Sequence, residues 1–191
     1  MTTLDTNLTG AAVPKAQVDY LAQWRELWSD HVYWTRFVVL AIVDGAPGLY
    51  QTVARLMASC TEMRDLLRPY YGDAGAEMFG DLMTAHLSLA AQLVTEAAKG
   101  EPEAAATEKA WYQNAAEIAS FLAAANPNLP ESALVGLLTT HLALTKDEAV
   151  ARITKDYDAD VAAFDKILHQ AIVMSDALAH GIITQFEPRF A

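Results

Sequence analysis

The sequence has little cysteine and no long apolar run. A single cysteine, Cys60, in 191 residues excludes an internal disulfide framework. The longest unbroken apolar run, from Phe37 to Val43, covers seven residues, far fewer than the ~20 that span a bilayer. The N-terminal residues have neither the positive charge nor the apolar segment of a secretory signal. We therefore expect a cytoplasmic protein with no membrane-spanning segment.

Positive charge is also scarce. There are 13 basic side chains against 24 acidic ones, so the formal net charge is −11. With no local cluster of basic residues, such a chain is repelled by nucleic acid and by anionic membranes. The negative charge is concentrated between Asp73 and Thr145, where nine acids face two lysines for a net of −7. We interpret this acidic stretch as a solvated face.

What the sequence does contain is apolar material arranged with helical periodicity. Hydrophobic residues make up 53% of the chain, and they recur at spacings of three and four. The nine glycines and seven prolines fall mainly at the edges of these segments. The pattern predicts an all-α fold: a single up-and-down bundle of about six helices over residues 15–191, preceded by a flexible N-terminal arm at residues 1–14.

The predicted helices follow from these boundaries. The first four cover about residues 14–43, 47–70, 73–99 and 102–125, and a short fifth helix opens at Pro130. The segment from Thr145 to Glu148 has the form of a capping box, which predicts that a sixth helix begins there and runs to about Gln185. This C-terminal helix is expected to be the longest element. It is apolar over more than half its circumference, so we expect it to be central or to form a homodimer interface.

Polar residues interrupt the apolar stripes close to the predicted helix midpoints. In an antiparallel bundle, midpoints tend to share one layer of the core. Burying imidazoles and amides there costs several kcal/mol unless they satisfy one another or bind something. The residues concerned are His31, Cys60, His86, Asn114 and Asp165, and the fifth helix adds His141 to an apolar stripe.

Such a layer predicts a metal site. Imidazoles and carboxylates converging from facing helices are the ligands by which bundle proteins hold metals, and His suits Zn, Cu or Fe while carboxylates favour Fe or Mn. We expect His31 and His86 as ligands, with His141, Glu117 and Asp165 completing or orienting the site. Cys60 is interpreted as a core residue that could also complete a soft copper or zinc site. The expected wall of a neighbouring pocket, for a cofactor or a small apolar molecule, comprises Trp28, Trp34, Trp111 and Asn114.

Several sharper motifs are absent from the sequence. There is no Glu-x-x-His, His-Glu-x-x-His, Cys-x-x-Cys, Gly-x-Ser-x-Gly, Walker or Gly-x-Gly-x-x-Gly pattern, so ferritin-like di-iron, zincin, hydrolase and nucleotide-binding functions have no support. A metal-binding bundle, with non-haem oxidoreductase activity as its catalytic form, is the leading hypothesis. The alternatives are a metal-free module that binds a small molecule or haem, and a helical interaction protein without a catalytic site.

The segment from Trp28 to Arg36 has the pattern Trp-x-Asp-His-x-x-Trp-Thr-Arg. With it, the chain resembles a group of uncharacterised small bacterial helical-bundle proteins of similar length. The other matching segments lie at residues 70–72, 111–118, 141–145 and 181–186. The resemblance covers nearly everything after the N-terminal arm. It implies a helical bundle and the importance of Asp30, His31, Asn114, Glu117 and His141, and it implies no mechanism.

Overall fold

Over residues 13–191 the fold consists of five α-helices and a final short 3-10 helix. We describe it from a computed structural model that places residues 13–191, so most of the expected N-terminal arm lies outside the described residues. The helices are α1 (Lys15–Asp44), α2 (Leu49–Lys99), α3 (Ala104–Ala125), α4 (Glu131–Ile153) and α5 (Tyr157–Gln185), followed by the 3-10 helix Glu187–Arg189. Residues 13–191 contain no strand. The all-α class is confirmed, with five helices rather than about six.

The helix α2 is bent sharply at Gly72, where the sequence predicted a boundary between two helices. Gly72 has φ 70° and ψ −178°, a backbone conformation that residues with a Cβ rarely adopt. The two halves of α2 then run back along each other. A Cβ added at Gly80 would lie 3.0 Å from the Arg64 side chain, and Thr84 lies close enough to Cys60 to affect the pKa of its thiol. In an uninterrupted helix, residues 60 and 84 would be roughly 36 Å apart.

The predicted start of the last helix at Thr145 is wrong. Thr145 lies inside α4, where its hydroxyl donates to the carbonyl of His141 instead of capping a helix. The turn between α4 and α5 comes about ten residues later. There Lys155 takes a positive φ of 64°, and the Asp156 side chain accepts a hydrogen bond from the Ala159 N–H as an N-cap. The C-terminal helix is therefore long, at 29 residues, but shorter than α1 and α2.

The broad apolar surface of α5 is explained by its position between α1 and α4, against both of which it packs. By length and composition alone α5 could cross a bilayer, and 56% of its most apolar window is buried inside the protein. Core helices of soluble proteins pass the same test. A homodimer through this helix stays a prediction.

A buried charge network joins α1, α4 and α5. The Arg36 guanidinium donates to Glu148 at 2.5 Å and to Asp160 at 2.7 Å, and both carboxylates are almost fully buried. Arg152 donates to Asp160 and also pairs with Asp44 at the end of α1. Burial and the neighbouring Asp160 raise the pKa of Glu148 to about 7 despite its contact with Arg36. Arg36 thus supplies the charge that keeps two carboxylates in the core.

Replacing Arg36 by methionine is expected to lower the free energy of unfolding by about 3–5 kcal/mol, because the buried Glu148 loses its cation and the buried Asp160 keeps only the longer contact with Arg152. The matched control is Arg25→Met. Arg25 also links α1 to α5 through two hydrogen bonds to one carboxylate, that of Asp176, but this pair is largely exposed. Its loss should cost about 1 kcal/mol or less. Urea denaturation measures both, and equal losses would contradict the assigned role of Arg36.

Candidate functional site

Three buried histidines from three helices converge in the core of the bundle. His31 comes from α1, His86 from the second half of α2 and His141 from α4, and each is at most 4% exposed. The rings of His31 and His141 have centroids 6.0 Å apart. His86 is near enough to His31 to lower its pKa, and His141 is near enough to His86 to lower the pKa of that ring. We call these three residues the histidine layer.

Two of the imidazoles are held by side-chain amides in the same way. His86 Nδ1 lies 2.8 Å from Asn114 Oδ1, and Asn114 Nδ2 donates to the carbonyl of Leu82, one turn before His86. His141 Nδ1 lies 2.9 Å from Gln170 Oε1. Gln170 Nε2 in turn donates to the carbonyl of Leu137, one turn before His141. Each amide therefore clamps one ring against the backbone of its own helix.

The clamps determine which ring nitrogen carries the proton. Because each amide nitrogen donates to a backbone carbonyl, the amide oxygen must be the acceptor, and Nδ1 of His86 and of His141 must donate. A neutral imidazole with its proton on Nδ1 has a free lone pair on Nε2. This is the tautomer that metal-ligating histidines adopt when the other ring nitrogen is hydrogen-bonded.

Burial keeps the three rings uncharged. Desolvation lowers the pKa of His86 and of His141 to about 4, against the stabilising effect of their amide partners. The pKa of His31 also falls well below its ordinary value, through burial and through the two other histidines. Within residues 13–191, His31 Nδ1 is buried and has no hydrogen-bond partner. The layer thus combines neutral imidazoles with one unsatisfied ring nitrogen.

The core is closed on one side of the histidine layer. The rings of His31 and His141 contact Trp28, at centroid distances of 5.4 and 6.0 Å. Beyond Trp28 the space left is only about 20 Å³. It is surrounded by apolar side chains that include Phe79, Met83, Ile118, Leu138 and Met174. Solvent does not reach the layer from this side.

On the other side the layer borders an apolar pocket of about 220 Å³. Its lining begins one turn beyond the histidines, at Thr35 on α1, Ala90 on α2 and Thr145 on α4. Trp111 on α3 also lines it, and its ring lies 5.5 Å from that of His86. We call this cavity the α1–α4 pocket. None of the three histidines lines it, and Trp111 is the residue that contacts both the pocket and the layer.

The structure brings together some of the residues predicted for the site and separates others. The three histidines, Asn114, Trp28 and Trp111 meet at the layer. Glu117 and Asp165 do not, because both side chains are exposed, and Glu117 instead accepts a hydrogen bond from Gln113 on its own helix. The expected carboxylate ligands therefore do not reach the core.

Trp34 and Cys60 also lie apart from the expected site. Trp34 turns toward α2, where the guanidinium of Arg55 lies 5.5 Å from its ring and pairs with Asp30 at 2.7 Å. Cys60 is a buried core residue, and burial raises the pKa of its thiol to about 11. A thiol held in this protonated state is not the thiolate that binds metals.

Sequence reasoning missed Gln170, the second clamp. Its signal was the same as that of Asn114: a polar residue on an apolar stripe, with Ile167 and Met174 on either side. The predicted helix began about ten residues too early, so its midpoint fell at Asp165. The actual centre of α5 is near residue 171, beside Gln170.

The three imidazoles are suitable ligands for a metal ion, although the rings are not positioned around one. In the part of the chain that the structure describes, no three His, Cys, Asp or Glu side chains form a group that would hold an ion as placed. Two imidazoles bound through nitrogen to one ion have centroids about 5–5.5 Å apart, given metal–nitrogen bonds near 2.0–2.1 Å. His31 and His141, at 6.0 Å, are within about 1 Å of that separation.

No family model, curated protein or solved structure matches this chain at a significant level. The site is therefore interpreted from its own geometry.

The histidine layer predicts a specific pH dependence of stability. In the folded protein the pKa of His86 and of His141 is about 4, whereas the ordinary value is 6.5. Between these values each ring takes up a proton only on unfolding, so the free energy of unfolding should fall as the pH falls. The expected slope is roughly 1.4 kcal/mol per pH unit for each such ring. Urea denaturation between pH 7 and 4.5 measures it.

Two variants test whether the slope comes from the buried rings. Replacing the exposed His169 and His180 with glutamine should leave it unchanged. Glu148 has a raised pKa, so the folded state favours its protonated form, and this contribution to stability is lost as the pH rises toward 7. On acidification Glu148 therefore opposes the loss of stability that the histidines cause. Glu148→Gln should therefore steepen the loss on acidification. A stability that stays flat from pH 6.5 to 4.5 in Glu148→Gln would contradict neutral buried histidines.

Proposed function

We propose that the protein binds one transition metal ion through His31, His86 and His141 in the core of the bundle. The observation that carries the proposal is the pair of amide clamps, which leave a free Nε2 lone pair on two buried neutral rings of a three-histidine layer. Ligating histidines commonly have this second hydrogen bond. The proposal includes the cytoplasmic location expected from the sequence.

Imidazole-only ligation favours Zn, Cu, Fe or Ni over the harder ions that need carboxylates. The earlier expectation of Mn depended on Glu117 and Asp165, and both are exposed. Three histidines leave a position for water or substrate in a tetrahedral or larger coordination shell. The α1–α4 pocket gives that position an approach, which supports non-haem oxidoreductase activity as the catalytic form of this proposal.

A single ion fits the layer better than haem does. A porphyrin held by His31 or His141 needs a flat slot beside the ring. Trp28 stands edge-on against both rings and fills the closed side of the layer. A single ion needs no such slot.

The first test is the metal content of protein purified without a histidine tag. We expect about one ion per chain by elemental analysis, and a rise in the thermal midpoint when that metal is returned to chelator-treated protein. His31→Ala, His86→Ala and His141→Ala should each lose the ion. His169→Ala and His180→Ala are the matched controls, because both remove an exposed imidazole from α5.

The wild-type protein alone can overturn the proposal, whatever the variants do. A folded wild-type chain that contains no metal, and whose thermal midpoint does not respond to Zn²⁺, Cu²⁺, Fe²⁺, Ni²⁺ or Mn²⁺, does not bind a metal in this layer.

The amide clamps should tune the affinity of the site. Asn114→Ala and Gln170→Ala each free one ring from its orientation, so the affinity for Co²⁺, followed by its visible absorption, should fall by about 10–100-fold. Gln113→Ala, which removes an exposed amide next to Asn114, should leave the affinity unchanged. Equal affinities for Asn114→Ala and Gln113→Ala would show that the clamp does not orient a ligand.

A further inference from the structure

We infer that the α1–α4 pocket is a binding site for a small, uncharged, aliphatic molecule beside the histidine layer. The inference concerns the pocket itself and holds whether or not an ion occupies the layer. It depends on the polarity of the lining, on the size of the cavity and on its position.

The interior of the pocket offers almost no polar contact. The hydroxyls of Thr35 and Thr145 already donate to the carbonyls of His31 and His141. The charged side chains of the lining are Glu108 and Lys146, which pair with each other at 2.5 Å on the solvent side between α3 and α4. A charged ligand would lose its hydration without gaining a partner, whereas an aliphatic one loses nothing on entry.

Small side chains keep the pocket open. Six alanines line it, of which Ala149 is buried and the others are half-buried or exposed at its rim: Ala90, Ala91, Ala97, Ala104, Ala105 and Ala149. The resulting volume, about 220 Å³, exceeds the roughly 150 Å³ of an apolar cavity that admits benzene. A chain of about six carbons therefore has room.

The position of the pocket connects such a ligand to the histidines. Lining residues on α1 and α4 lie one to three turns beyond His31 and His141, and Trp111 touches both the pocket and His86. The opposite side of the layer is packed. A molecule in this pocket therefore lies one turn from His31 and His141 and is separated from His86 by the Trp111 ring.

The test compares three probes of one length on the full chain, after treatment with a chelator: 1-hexanol, hexanoate and hexylammonium at pH 7. Calorimetric titration should show hexanol binding about tenfold or more tightly than either ion, because the ions must give up hydration. Ala149→Leu places three more carbons in the pocket and should weaken hexanol binding by about tenfold or more. Ala116→Leu, an exposed substitution on α3, should leave it unchanged.

Three results would overturn the inference. Folded wild-type protein that does not bind hexanol excludes the pocket as a ligand site. Tighter binding of hexanoate means that Lys146 recognises an anion, so the ligand class is wrong. Equal hexanol binding by Ala149→Leu and wild type places the molecule elsewhere.

A measurement on the wild type replaces the variant if Ala149→Leu fails to fold. Hexanol should shift the methyl resonances of Ala90, Ala91 and Ala149 and leave that of Ala116 unmoved. Shifts at Ala116 alone would contradict the assigned location. Because all these measurements use metal-free protein, their outcome is separate from that of the metal analysis.

Discussion

Keeping three imidazoles uncharged in an apolar core is the constraint on which the rest of this structure depends. Each ring brings a donor and an acceptor out of water, and an unpaired group there costs a few kcal/mol. Asn114 and Gln170 offset this cost for His86 and His141, because each amide oxygen accepts a hydrogen bond from one ring. Each amide nitrogen in turn donates to a backbone carbonyl. The same hydrogen bonds fix the tautomer. Stability and ligand orientation therefore come from one set of contacts, whereas His31 Nδ1 has no partner within residues 13–191.

The helices hold these residues at one level because their ends are fixed in other parts of the fold. Gly72 folds α2 back so that His86 faces α1 and α3, and the bend is held near the C-terminus: Tyr71 donates to Gln185 and accepts from Asn126. At the other end of the bundle, Arg36 joins α1 to Glu148 on α4 and Asp160 on α5. A shift of α4 along α1 would move His141 out of the layer and would also separate this buried network.

Much of this arrangement could be predicted from the sequence, since apolar periodicity and helix midpoints are local properties. Those properties place His31, His86 and Asn114 on inward stripes at a common level. The turn at Lys155 could not be predicted in the same way, because nothing in the local sequence indicates that a lysine will adopt a positive φ. In addition, the segment from Thr145 to Glu148 has the sequence of a capping box although it lies inside α4. The tertiary pairing of Glu148 with Arg36 overrides that local preference. Because the start of α5 was predicted too early, its predicted midpoint fell at Asp165, and Gln170 was not recognised as part of the site.

The two sides of the histidine layer differ in a way that packing alone does not explain. A core that only needed to bury three rings would be filled on both sides, because each empty volume of methyl size costs about 1 kcal/mol. Trp28 and its neighbours fill one side. On the other side the lining of the α1–α4 pocket includes six alanines and leaves about 220 Å³ open. A pocket one turn from preoriented neutral imidazoles has the arrangement of a site that admits a molecule beside those rings.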